Sequence, residues 1–415
     1  MKQMHKWVLC STLLLGLGGS GTLAGSAEAA GGVGIKLDGY PLPFPVEPQV
    51  MKGTTMVPFR AISEALGIKV IWNQAAQTIT ATKQGEGGTQ QVVLTMGSKT
   101  AQAGGQNVQL PVAPQTIRGT TMIPLSFFSQ QFGADVSWNQ GTKTVSILSP
   151  KEDMYTVGFY ALSSYSEINR VPEFDSVAFG WSRIGTDGVF TTDAKEYGWP
   201  QAAGDTTPES IIQNTTAQGT APYLMVYSVD GNLELTKNLE DKQLQERTLT
   251  QIVNTATENG FKGIALDLEG LGWSGDKAKA RTDYNAFVKN LASRAHQAGL
   301  KLTVVLHPLN SAYSGYDYGT LGKLADELII MAYAYGDEKS PEPADKVDEA
   351  IRLALKETGK EKLVLGISVA SENKQSVNTK IGLAKRYDLK GIAVWRLGLI
   401  GQDVWDEMNE SIDFK

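Results

Sequence analysis

Eight short apolar runs, separated by stretches of helical period, occupy the last 260 or so residues of this 415-residue chain. They read YTVGFY (155–160), DSVAFGW (175–181), APYLMVYS (221–228), GIALDLE (263–269), LTVVLH (302–307), ELIIMAY (327–333), LVLGIS (363–368) and GIAVWR (391–396). The helical periods are clearest over 242–259, 282–298, 345–358, 376–386 and 402–410. Glycines in GFKG, AGLK and DLKG fall where a helix ends or a strand begins, as such connections require. Apolar strands alternating with helices need parallel pairing, because each helix carries the chain back across the sheet. Eight such units predict an α/β fold, a (β/α)8 TIM barrel over 154–412. Chemistry on this fold sits at the C-terminal ends of the strands, which directs attention there.

The N-terminal part is built differently. Residues 52–82, KGTTMVPFRAISEALGIKVIWNQAAQTITAT, recur as 118–148, RGTTMIPLSFFSQQFGADVSWNQGTKTVSIL, at a constant offset of 66 with twelve identities. Each copy predicts a short strand, a helix of about two turns closed by Gly67 or Gly133, and a hairpin. The result is a smaller α+β domain over 34–148, made of a tandem repeat whose copies share one core. Trp72 and Trp138 are read as packing within that core rather than as ligand platforms. The motif resembles the domain named after the N-terminal region of copper amine oxidases. No histidine or cysteine lies in 34–148, so the name carries no copper chemistry here. The resemblance implies an extracellular accessory module associated with a cell wall, or a plain spacer.

Residues 1–29 have the order of a secretory signal peptide. Lys2 and Lys6 precede the apolar run WVLCSTLLLGLGG, which leads to Ala27-Glu28-Ala29. The run is too short to span a bilayer, so the expected product is secreted, with no transmembrane segment after cleavage and a cell-wall or spore-envelope setting. The single cysteine, Cys10, leaves with this segment, and with it any disulfide or thiolate chemistry. A net charge of −6 offers no basic footprint for nucleic acid.

In the fourth strand the pleat puts Ile264, Leu266 and Leu268 on one face and Ala265, Asp267 and Glu269 on the other. The leucine face must meet helices, so two acids point into the barrel mouth. Carboxyls at i and i+2 are near enough to share a proton, which keeps one of them available as a general acid for glycosidic cleavage. A merely solvated pair of acids at a strand end fits the same pattern.

The segment GFKGIALDLEG resembles the strand-four signature DxxDxDxE of glycoside hydrolase family 18, which includes chitinases and spore-cortex and peptidoglycan N-acetylglucosaminidases. MAYAYG (331–336) resembles the family's MxYD, and AVWRLG (393–398) its strand-eight end. The resemblance implies Glu269 as proton donor, Asp267 and Tyr333 as the residues that orient the substrate's acetamido group, and Trp395 as the floor of a subsite. Trp181, Trp273, Tyr335 and Arg396 are further substrate-binding candidates at strand ends and loops, since flat rings suit sugar C–H faces. Tyr160, Trp199, Tyr227, Tyr316, Arg183 and His307 stand nearby, each more readily explained as structure. Lys262, Ala265 and Ala334 occupy positions where the family has aspartate. No metal constellation and no cofactor motif is present. The implied partner is a polysaccharide, peptidoglycan or chitin-like, hydrolysed by substrate-assisted retaining catalysis. The alternatives are a catalytically impaired relative that only binds such glycans and a purely structural envelope protein.

Overall fold

Parallel strands dominate the C-terminal two thirds of the protein, seen in a computed structural model that describes residues 33–85, 88–336 and 339–415. The segment expected to be a signal peptide, with Cys10 in it, lies outside the described residues. The strands are β1 (Tyr155–Tyr160), β2 (Ser176–Ile184), β3 (Ala221–Ser228), β4 (Gly263–Leu268), β5 (Lys301–Leu306), β6 (Glu327–Ile330), β7 (Leu363–Ser368) and β8 (Gly391–Trp395). Each pairs in parallel with the next, and β8 returns to pair with β1, closing an eight-stranded barrel. Helices follow every strand; the one after β1 is a 3-10 helix, Leu162–Glu173, and the longest is Lys277–Gln297 after β4.

Strand parity creates two apolar layers. Val157, Tyr223, Met225, Ala265, Ile329 and Val364 fill the barrel interior. Residues of opposite parity, such as Ile264, Leu266, Leu302 and Leu328, meet the helices. The N-terminal end of the barrel holds an ion pair on a buried carboxylate, Glu327. Lys390 reaches Glu327 at 2.5 Å, Thr303 donates to the same carboxylate at 3.1 Å, and Lys390 Nζ lies 4.4 Å from the Tyr155 ring centre.

The duplicated segments share one core, as self-similar small units must. Strands Thr54–Pro58 and Thr120–Pro124, which are equivalent in the repeat, pair antiparallel with Val57 opposite Ile123. Phe59 and Phe128 meet edge to face at 5.6 Å. Gly67 and Gly133 take φ of +65° and +79° just past the two helices, the left-handed closure that glycine accommodates best. Trp72 and Trp138 are not in this core. They are 43% and 46% exposed, each on the outermost strand of its sheet.

Candidate active site

Strand β4 delivers Asp267 and Glu269 to the barrel mouth with the parity read from its pattern. Ala265 is sealed in the interior, Asp267 is 2% exposed, and Glu269 follows just beyond the strand. The loop after β4 is fastened from both sides. Glu269 N–H donates to Ser228 O at 2.8 Å, and the Tyr316 hydroxyl donates to Leu268 O at 2.7 Å. Gly272 crosses Gly315 so closely that a Cβ there would stand 2.3 Å from Gly315 N. Two glycines thus let the β4 and β5 loops interlock beside the acids.

The electrostatics follow from burial. Asp267 Oδ1 is buried without a hydrogen-bond partner, and apolar Ala265 and Met225 lie beneath it. Desolvation, and secondly the Glu269 carboxylate, raise Asp267 well above the usual carboxylate range. His307, at the end of β5, is pushed down to about 4 by burial, so its ring is neutral near neutral pH. Gly270 N–H points at its Nε2 at 3.4 Å, which makes that nitrogen the acceptor. Glu269 Oε2 also lies 3.4 Å from Nε2. The imidazole is held flat against Tyr313, centres 3.9 Å apart and 19° from parallel. Across the mouth, Tyr197 and Tyr227 stack at 3.9 Å. Burial raises both hydroxyls, and the charges of Asp267 and Glu269 raise them further, so they remain donors facing the acids.

Tyr333 follows β6. Its ring passes close to Gly366 of β7, where a Cβ would stand 3.0 Å from Tyr333 Cε1. The next residue, Ala334, has φ of +62°, a left-handed turn that a non-glycine residue adopts only when held. Glu342 supplies the hold. Its buried carboxylate accepts from Ala334 N–H at 3.0 Å and Tyr335 N–H at 3.1 Å. Glu342 N–H in turn donates to Glu372, whose carboxylate pairs with buried Lys380 at 3.2 Å. A chain of three buried charged side chains therefore ends on the backbone beside Tyr333.

The other expected residues divide. Trp395 is half-buried at the end of β8, edge-on to Phe159 at 5.3 Å, and its peptide bond to Arg396 is cis. Arg396 donates to Ser164 Oγ at 3.3 Å and Leu397 O at 3.2 Å. Trp273 is 63% exposed and lies 5.3 Å from Tyr313, continuing the His307 stack outward. Tyr335 donates to Asn310 Oδ1 at 2.9 Å, bridging the β5 and β6 loops. Trp181 is a correction. It is 0% exposed and packs among Phe179, Trp199 and Phe261, so it offers no face to a sugar. Strand β2 runs on to Ile184 past a bulge between Phe179 and Ser182, and Trp181 shares the outward parity of Phe179. That parity was readable in the sequence. Asp230 spends both oxygens on Thr236 and does not replace the missing aspartates. Tyr197 and Tyr313 escaped notice because both lie in loops with no period to place them; Gly180, whose Cβ would stand 3.2 Å from Tyr197 Cδ1, is the one local hint. Among the described residues no three His, Cys, Asp or Glu side chains converge as a metal would require.

Comparison with known proteins agrees with this architecture. Residues 155–372 match the family described as glycosyl hydrolases family 18, and residues 36–147 match the copper amine oxidase N-terminal domain. The cortical fragment-lytic enzyme of Bacillus subtilis (strain 168) is 24% identical over 290 residues, 52% of this chain and 65% of that protein. The enzyme of the same name from Bacillus anthracis is 28% identical over 192 residues, 43% of each chain. The chain therefore spans less than two thirds of the length of these curated relatives. Among solved structures, the Bacillus cereus spore cortex-lytic enzyme SleL superimposes with a TM-score of 0.52 at 19% identity, covering 65% of this chain and 77% of that one. A chitinase from Chromobacterium violaceum ATCC 12472 does so with a TM-score of 0.50 at 19% identity, covering 62% and 98%. At these identities the superpositions speak to the fold.

Proposed function

Because this chain belongs to glycosyl hydrolases family 18, we propose that it hydrolyses β-1,4 bonds next to N-acetylglucosamine in peptidoglycan or chitin-like glycans. The observation that carries this reading is the buried Asp267 beside Glu269, with a neutral His307 nitrogen facing the Glu269 carboxyl. Glu269 donates its proton to the leaving oxygen. Asp267 and Tyr333 hold the substrate's acetamido group so that its oxygen attacks the anomeric carbon, the substrate-assisted exception to the two-carboxylate scheme. Water then opens the cyclic intermediate with Glu269 as base, and the anomeric configuration is retained. Trp395 and Trp273 offer ring faces to flanking sugars, and Tyr197 and Tyr227 offer hydroxyl donors. The setting that fits this substrate is the cell exterior or spore envelope.

Glu269→Gln is expected to lower turnover by roughly two to four powers of ten, the usual contribution of a positioned general acid. Product release from chito-oligosaccharides and peptidoglycan fragments, followed by mass spectrometry, measures it. Equal release by both proteins would end the hydrolase reading. Ala265 and Ala334 favour a second reading, a glycan-binding protein without turnover, since Asp267 lacks the carboxylate that would share its proton from below. That reading predicts oligosaccharide binding with no product from either protein.

A further inference from the structure

The repeat domain presents the same exposed ring twice. Trp72 and Trp138 sit on strands Lys69–Asn73 and Asp135–Asn139, each the outermost of its sheet. In both copies the motif W-N-Q does one job per residue. Asn73 Oδ1 and Asn139 Oδ1 accept the backbone N–H of Ala76 and Thr142, each at 3.0 Å, and so close the hairpin turn. Gln74 and Gln140 accept from the indole Nε1 at 3.1 and 2.8 Å. These side-chain bonds fix the ring's edge in solvent and leave a face open, an ordering that the hairpin itself does not need. Beside Trp72 lies a cleft of about 730 Å3, within the ~300–1,000 Å3 range of ligand sites. Its floor is apolar, with Phe59, Ile68 and Val70. Its polar lining comes from Arg60 and Glu64 of one copy and Thr120 and Thr121 of the other.

We propose that these two exposed rings are glycan-binding platforms, Trp72 together with its cleft as one and Trp138 as the second. A pyranose buries its C–H face on a flat ring while its hydroxyls remain hydrogen-bonded at a polar rim, which is the combination offered here. Arg60 and Glu64 offset each other, so the cleft suits a neutral N-acetylated sugar rather than a polyanion. Ala61 and Glu64 also line a second cleft, about 510 Å3, bounded on its far side by Arg352, Arg386 and Tyr387 of the barrel helices. The path is thus longer than one sugar, as a polymer requires. Two weak platforms on the same chain as the barrel raise the effective concentration of substrate without new catalytic contacts. The choice of glycan rests on the hydrolase reading of the barrel.

The test uses the full chain carrying Glu269→Gln, so that substrate survives, with Trp72→Ala, Trp138→Ala, both together, and Trp72→Phe. Binding isotherms are measured on purified peptidoglycan sacculi and on chitin beads. Each single alanine is expected to weaken binding three- to tenfold and the pair at least tenfold, while Trp72→Phe keeps a flat face and stays within twofold. In the chain with Glu269 intact, turnover of soluble chitotetraose is expected to be unchanged by all four substitutions. Equal sacculus binding by the parent and the double variant would overturn the proposal. So would a parent that is dimeric by light scattering and becomes monomeric in the double variant, since the edge strands would then face a second copy. A chain that cleaves no soluble oligosaccharide yet loses sacculus binding with the rings removes the hydrolase reading and leaves this surface standing.

Discussion

At the residue scale the decisive fact is that Asp267 is buried over alanine. A carboxyl with no partner on Oδ1, an apolar layer beneath it and Glu269 beside it is more easily kept neutral than charged. Its folded value is raised, so the folded chain holds this proton more tightly than the unfolded chain does. The resulting contribution to stability is complete below the unfolded value, near 3.8, and is lost as pH rises through the folded one. Asp267→Asn removes the ionisation and keeps the shape. Thermal melts are therefore expected to show the variant gaining on wild type at pH 8 and matching it near pH 4, with turnover reduced at both. An identical shift at the two pH values would contradict burial as the cause.

At the element scale the turn after β6 is the vulnerable part of the site. Ala334 occupies a left-handed conformation beside Tyr333, and the Glu342 carboxylate takes up two successive N–H groups there. Glu342→Gln keeps the volume but leaves one oxygen acceptor for two donors, and it adds an amide donor that faces other donors. Misplacement of a substrate-orienting side chain by about 1 Å can cost about 10²-fold. We expect kcat to fall roughly 10- to 100-fold with KM changed much less, and Glu342→Asp to recover part of the loss. A stability deficit with unchanged kcat would mean that the turn does not position Tyr333.

At the scale of the whole molecule, the repeat domain and the barrel lie within one compact unit, Val33–Lys415. The contact is made largely by helix Lys374–Arg386, which follows β7. Arg386 donates to Pro41 O at 3.3 Å, and Lys385 donates to Pro150 O at 2.7 Å. Gly382 lies so near Asp38 that a Cβ would stand 2.3 Å from Asp38 Cβ. Gly382→Ala sets two effects against each other. Helix propensity favours alanine by about 1 kcal/mol. Overpacking a tight contact costs about 1–3 kcal/mol, and against backbone-anchored Asp38 the larger figure applies. A lower melting temperature is expected, with the fall concentrated in contacts between the parts rather than in chitotetraose turnover at 25 °C. A raised melting temperature would show that the contact yields easily.

The order of the eight strands, the inward parity of Asp267 and Glu269, and the duplication with its glycine closures were all set by local period and spacing. Such features follow from chain geometry within a few residues, which is why they could be read without a structure. Which rings face solvent was decided elsewhere. Trp181 carried a strand-end position yet is sealed under Trp199 and Phe261, while Trp72 and Trp138 carried a core-like pattern yet stand exposed on outermost strands. Tyr197 reached its place from its loop by stacking on Tyr227 of β3, while the His307–Tyr313 stack and the Glu342 hold on Ala334 formed within single aperiodic loops that carry no pattern to read. Parity selects a face, but what covers that face comes from residues distant in the chain, so exposure and site composition had to wait for the tertiary structure.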